Sequence, residues 1–182
     1  MNRTPLRLFV LALVAALAAL VFPATAQAAP YCGITWGSLA KQAGNHAPAL
    51  SGSELTAVRA GQHACYDRLV LDVTGSTRVG SYDVRYVDRV RHDGSGAVVP
   101  LAGGAFLQIS VGVNNYVSPP ANSGTVANVT GFRTFRQVAG AGFHEGYTSE
   151  GLGVRARQPF RVFTLAGPGN TVRLVIDVAH AW

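Results

Sequence analysis

From residue 55 onward, apolar and polar residues alternate in short runs separated by Gly, Pro, Asn and Asp clusters. That period of two marks half-buried strands. Eight are predicted, at 55–59, 68–74, 82–91, 106–113, 132–138, 152–157, 160–165 and 172–179. The segment RLVLDV at 68–73 returns as RLVIDV at 173–178. In each copy Leu69, Leu71 and Val73, or Leu174, Ile176 and Val178, fall on one face, with Arg and Asp on the other. Two copies far apart argue for a body with two pseudo-symmetric halves, since a solenoid repeats at least three times at a short period. The predicted fold is an all-β sandwich.

Residues 31–52 carry no sustained period and read as an irregular extension, with a helical turn or two expected over Trp36–Gln42. The stretch 112–131, with Pro119, Pro120 and several Asn, reads as a surface loop.

The first residues follow a different rule. Arg3 and Arg7 precede an apolar run from Leu8 to Phe22, and Ala26-Gln27-Ala28 follows. That order is a secretory signal peptide ending at residue 28, because the run is shorter than the roughly 20 residues that span a bilayer. The expected organisation is signal peptide 1–28, extension 29–54 and a β-sandwich domain over 55–182. In an oxidising compartment the two cysteines, Cys32 and Cys65, read as one disulfide tethering the extension.

The net charge is +6, of which Arg3 and Arg7 leave with the signal peptide. All basic residues but Lys41 are Arg. The balance is too mild to imply nucleic acid, and secretion argues against it; a weak positive field favours anionic polymers of the cell envelope. No stable membrane insertion is expected after signal cleavage.

The runs VRAGQHACYDRLVLDVTG, YDVRYVDRV, VPLAGGAFLQISV, FHEGYTSEGLGVRARQPFRVFTL and RLVIDV, in that order across about residues 55–180, resemble the AMIN-like domain of secreted and envelope proteins of actinomycete-type bacteria. The resemblance implies a β-sandwich with two related halves, acting as a noncatalytic module that binds peptidoglycan or localises envelope machinery.

Candidate chemistry is sparse. Asp67, Asp72 and Asp177 could be cast as glycosidase carboxylates, but strand Asp near strand Arg reads as structural ion pairing. His144-Glu145 opens like a zinc-protease helix, yet Thr148 stands where the second His is required. His46, His63, His92 and His180 are isolated, so no metal and no cofactor is expected. No Gly-x-Ser-x-Gly motif occurs, and the chain is read as a non-enzyme.

Binding residues are easier to nominate. Arg155 and Arg157, two apart on a predicted strand, share a face; Arg161 lies beyond Pro159, and Arg85 and Arg89 repeat the rule. Guanidinium groups pair bidentately with carboxylates and phosphates, so such a stripe suits peptide-stem carboxylates or anionic wall polymers. Tyr147 belongs to a Gly-punctuated loop, 143–151, that either grips a glycan or peptide stem or is a sandwich corner in which Phe143 plugs the core and the glycines allow positive φ. Trp36 and Trp182 could stack on sugars but are expected to pack beside the disulfide and the last strand. The expected ligand-binding set is therefore Arg155, Arg157, Arg161 and Tyr147. The expected partner is peptidoglycan or an associated anionic wall polymer, and the rival is a protein-interaction module that docks on an envelope enzyme and regulates it.

Overall fold

The computed structural model describes residues 31–44, 52–114 and 125–182. The signal-peptide reading of residues 1–28, His46 and the middle of the 112–131 loop lie outside the described residues. Among those described, nine strands form two antiparallel sheets: β1 (Lys41–Ala43), β2 (Glu54–Gln62), β3 (Tyr66–Thr74), β4 (Tyr82–Val87), β5 (Ala105–Val111), β6 (Phe135–His144), β7 (Tyr147–Val154), β8 (Phe160–Ala166) and β9 (Thr171–Ala179). One sheet runs β1-β4-β5-β7-β6 and the other β2-β3-β9-β8.

The sheets face each other across a single core, so the chain is an all-β sandwich. Leu69, Leu71, Leu174 and Ile176, the inward positions of the repeated strands, are all fully buried in it, against Ile109, Leu107 and Leu152 of the facing sheet. At about 25 cal/mol per Å² of apolar surface, each such Leu or Ile stabilises the fold by roughly 1.5–3 kcal/mol. Each sheet is built from two hairpins about a central pair, β3·β9 in one and β5·β7 in the other.

Several expectations need correcting. Trp36–Gln42 is not helical: Gly37 bridges to Phe160 on the β8 edge, and Lys41–Ala43 then pairs with β4, so the segment laces one flank of the sandwich. Backbone hydrogen bonds to two sheet edges outweigh a local helical turn that lacks an apolar stripe. The third predicted strand stops at Val87 instead of residue 91, and that predicted over 152–157 runs from Tyr147 to Val154. The segment 143–151 is accordingly not a loop but the end of β6, a two-residue turn and most of β7. Glu145 and Gly146 both have positive φ, 49° and 82°, the geometry of a type I′ hairpin turn. Phe143 is 41% exposed and plugs nothing.

The Cys32–Cys65 disulfide is formed, at an S–S distance of 2.03 Å, and ties the lacing segment to the turn before β3. A second tie lies inside. Asp67, fully buried on the inner side of β3, accepts hydrogen bonds from the backbone N–H groups of Thr134 (2.6 Å) and Phe135 (2.9 Å) at the start of β6, and contacts His180 Nε2 at 2.9 Å. It joins the two sheets and the end of the last strand through one carboxylate.

Candidate functional site

Which face can meet a ligand follows from how the long connections are used. The link between β4 and β5 folds back over the outer side of the five-stranded sheet, where Val90 and Val99 pack on Ala139 and Ala141. Glycines on β7 permit the approach: a Cβ at Gly153 would lie 2.0 Å from the Ala102 carbonyl oxygen, and one at Gly151 would lie 2.7 Å from Leu101. The outer side of the four-stranded sheet is instead carpeted by its own long side chains.

Those side chains form ordered rows. Arg68, Asp177 and Arg161 stand abreast on β3, β9 and β8; Val70, Val175 and Phe163 form the next row; Asp72, Arg173 and Leu165 the third. Alternation dictates the arrangement, because residues two apart in each strand share the face. Asp177 is fully buried yet holds both neighbours: Arg68 donates Nε and Nη2 at 2.6 and 2.9 Å, and Arg161 donates Nη2 and Nε at 2.7 and 2.8 Å. The hydrogen bonds to Asp177 raise the Arg68 pKa above its ordinary value and outweigh the lowering effect of burial. At the other end Arg59 forks onto Asp72 at 2.5 and 2.9 Å. The reading of Asp72 and Asp177 as structural ion-pair partners holds, and Asp67 faces the opposite way, into the core.

Aromatic rings enclose the first row. The Arg161 guanidinium carbon lies 5.0 Å from the Phe163 ring centre, 5.4 Å from Tyr66 and 5.5 Å from Trp36. Arg68 is 5.2 Å from Tyr66, and His63 stacks on that ring at 4.6 Å. Trp36 is brought there by the disulfide-tied segment and fixed by its Nε1–H bond to the Tyr31 carbonyl, 2.9 Å. These contacts hold the guanidinium groups against the rings, and Trp36, Tyr66, Arg68, Arg161 and Phe163 are each half-buried, so the cluster as a whole reaches the surface. Sugar rings and carboxylates are the chemistry that such a surface complements.

The nominated residues do not form one site. Arg161 is at the centre of this cluster. Arg155 and Arg157 lie past the end of β7, in the link to β8, so the shared-face argument for them fails. Arg155 donates to the His180 carbonyl, while Arg157 lies over the Tyr86 ring at 4.6 Å and reaches the Ser38 carbonyl at 3.1 Å. Burial raises the Tyr86 pKa, and its hydroxyl donates to the Gln158 carbonyl at 2.7 Å. Tyr147 is on the other sheet, in a pocket of about 230 Å³ whose carboxylates are Asp83, Asp93 and Glu145, the opposite sign of charge. Trp182 is 71% exposed and donates Nε1–H to the Arg157 carbonyl.

Sequence reasoning put Arg68 and Arg173 on the outer face but did not join them, or Tyr66, Phe163 and Arg59, into one surface. The signal was available: with the two copies of RLV[LI]DV as antiparallel neighbours, each Arg must face an Asp. Among the described residues, no three His, Cys, Asp or Glu side chains converge as a metal site requires, and no helix is long and apolar enough to cross a membrane.

Among the described residues, the outer side of one sheet is covered by the β4–β5 link and that of the other presents guanidinium and aromatic groups. The AMIN-like domain model matches residues 53–180, and the chain belongs to that family. The family is envelope-associated, and its domains are generally noncatalytic binding modules. No curated protein matches the chain.

Proposed function

We propose that the chain is a secreted, cell-wall-associated binding module without catalytic activity, whose ligand is peptidoglycan or an anionic polymer attached to it. The observation that carries this reading is Arg161 held among Trp36, Tyr66 and Phe163 on the outer side of the four-stranded sheet. Tryptophan and tyrosine faces suit the glycan, and guanidinium edges suit peptide-stem carboxylates or wall phosphates. Arg161 is the centre of the proposed contact and Arg157, two residues from Pro159, its rim. Arg155, committed to the His180 carbonyl, and Tyr147, in its acidic pocket, serve as comparison positions.

Retention of the purified mature chain by sacculi, with and without attached wall polymers, tests the reading. Arg161→Gln leaves Asp177 still gripped by Arg68, so the domain stays folded while retention falls about tenfold at low salt. Arg155→Gln and Tyr147→Phe are retained like the wild type. Wild-type protein that passes through sacculi at low and moderate salt refutes the proposal, and capture of one envelope protein in the same experiment supports the regulatory alternative.

A further inference from the structure

Val70 and Val175 are each third in their copy of the repeat, and they pair with each other across β3 and β9. A local two-fold axis therefore passes between them. Arg68 is set opposite Asp177, and Arg173 opposite Asp72. The side chains obey this symmetry at one end only. Arg68 forks onto Asp177, but Arg173 does not reach Asp72, whose two oxygens are taken by Arg59. Arg173 donates Nη2 to the Ala166 carbonyl at 2.6 Å, and its Nε is buried without an acceptor. No carboxylate among the described residues pairs with it.

A buried guanidinium N–H without an acceptor costs free energy, and a shift of the Arg173 side chain toward an anion in the adjoining space recovers that cost. The space for it is present. Arg173 and Arg59 line a pocket of about 300 Å³ together with Asp72, Thr56, Thr74 and Thr171. The hydroxyl protons of Thr56 and Thr171 are committed to the Asp72 and Pro168 carbonyls, so the side-chain donors left to an incoming group are the guanidinium N–H groups and the Thr74 hydroxyl. Two guanidinium groups against the Asp72 carboxylate leave the pocket one positive charge. We infer that this pocket binds a single oxyanion, a carboxylate or phosphate group, with Arg173 as its principal donor and Asp72 as the group that limits affinity.

The inference rests on the wall-binding reading only for the natural source of the anion, a peptide-stem carboxylate or a polymer phosphate. Two probes separate these: acetyl-D-alanyl-D-alanine and glycerol phosphate, titrated at low salt into the mature, isotope-labelled chain while the Arg173 Nε–Hε NMR signal is followed. The signal shifts saturably with one or both, and the tighter probe identifies the source. Arg173→Gln, followed through the Thr171 and Val175 amides, binds about tenfold more weakly, whereas Asp72→Asn binds more tightly because repulsion is removed and Arg59 is released. A purely structural Arg173 does not predict that opposite pair. No shift with either probe up to about 50 mM in folded protein overturns the inference, as does unchanged affinity in Arg173→Gln. Retention by sacculi is scored separately: probe binding without retention leaves the pocket standing and removes the wall, and retention without probe binding does the reverse.

Discussion

Replacing Asp67 with alanine removes a carboxylate that joins both sheets. The side chain is fully buried, and its Oδ2 alone satisfies two backbone N–H groups, of Thr134 and Phe135, while Oδ1 meets His180. Orphaning a buried donor costs about 1–3 kcal/mol each. Two donors and a histidine deprived of its partner bring the expected loss to about 3–5 kcal/mol, in the range for breaking one side of a buried charged network. Asp67→Asn retains an oxygen that can accept from both N–H groups and trades only the histidine contact, so its cost is about 1–2 kcal/mol. Equilibrium urea unfolding of the mature chain measures both. With a slope of about 2 kcal/mol per molar, alanine lowers the midpoint by roughly 1.5–2.5 M and asparagine by less than half of that. A midpoint that moves by under about 0.5 M in Asp67→Ala, at unchanged slope, would show that the carboxylate does not hold the sheets together.

Two further perturbations probe the same architecture. Ile176→Ala, at a fully buried position opposite Leu69 and Val162, should cost about 2–5 kcal/mol through transfer and cavity effects in the same urea assay. Cys32→Ser with Cys65→Ser opens a closure spanning 33 residues and should cost about 3–4 kcal/mol on the chain-entropy account; hydrogen exchange should show β1 losing protection before β3 does.

Strand positions were legible because alternation is a local property, and in β3 and β9 it fixes the inward residues without reference to partners. The features that were not legible depend on pairing at long range. Lys41–Ala43 is too short to carry a period, and only its bonds to β4 make it a strand. Arg155 and Arg157 continue the alternation of β7 in sequence, but the chain leaves the sheet after Val154, and Arg155 N–H bonds to the Thr134 carbonyl instead of to β5. Phe143 follows the bulge between Gly140 and Gly142, beyond which alternation no longer reports the side. The guanidinium-bearing face was hidden for another reason. Its arginines, Arg59, Arg68, Arg161 and Arg173, come from four strands separated by more than a hundred residues, and which sheet is left open is decided by the β4–β5 link, whose close fit over Gly151 and Gly153 depends on contacts made across the chain.

The repeated strands therefore carry two kinds of information. Their inward residues agree between copies, as a shared core requires: Leu69 with Leu174, Leu71 with Ile176 and Val73 with Val178 occupy equivalent buried places. Their outward residues also agree in identity, Arg with Arg and Asp with Asp, so symmetry by itself would neutralise the face as two cross-strand ion pairs. What breaks the balance is supplied from outside the repeat. Arg161 adds a second guanidinium to Asp177, and Arg59 takes Asp72 away from Arg173. Each addition leaves one positive charge beyond the paired set, one beneath Trp36 and Tyr66 and the other beside Thr171. The repeated strand paired with its own copy yields a stable and nearly neutral centre of the sheet, and the flanking strands convert it into one with two cationic points on a single face.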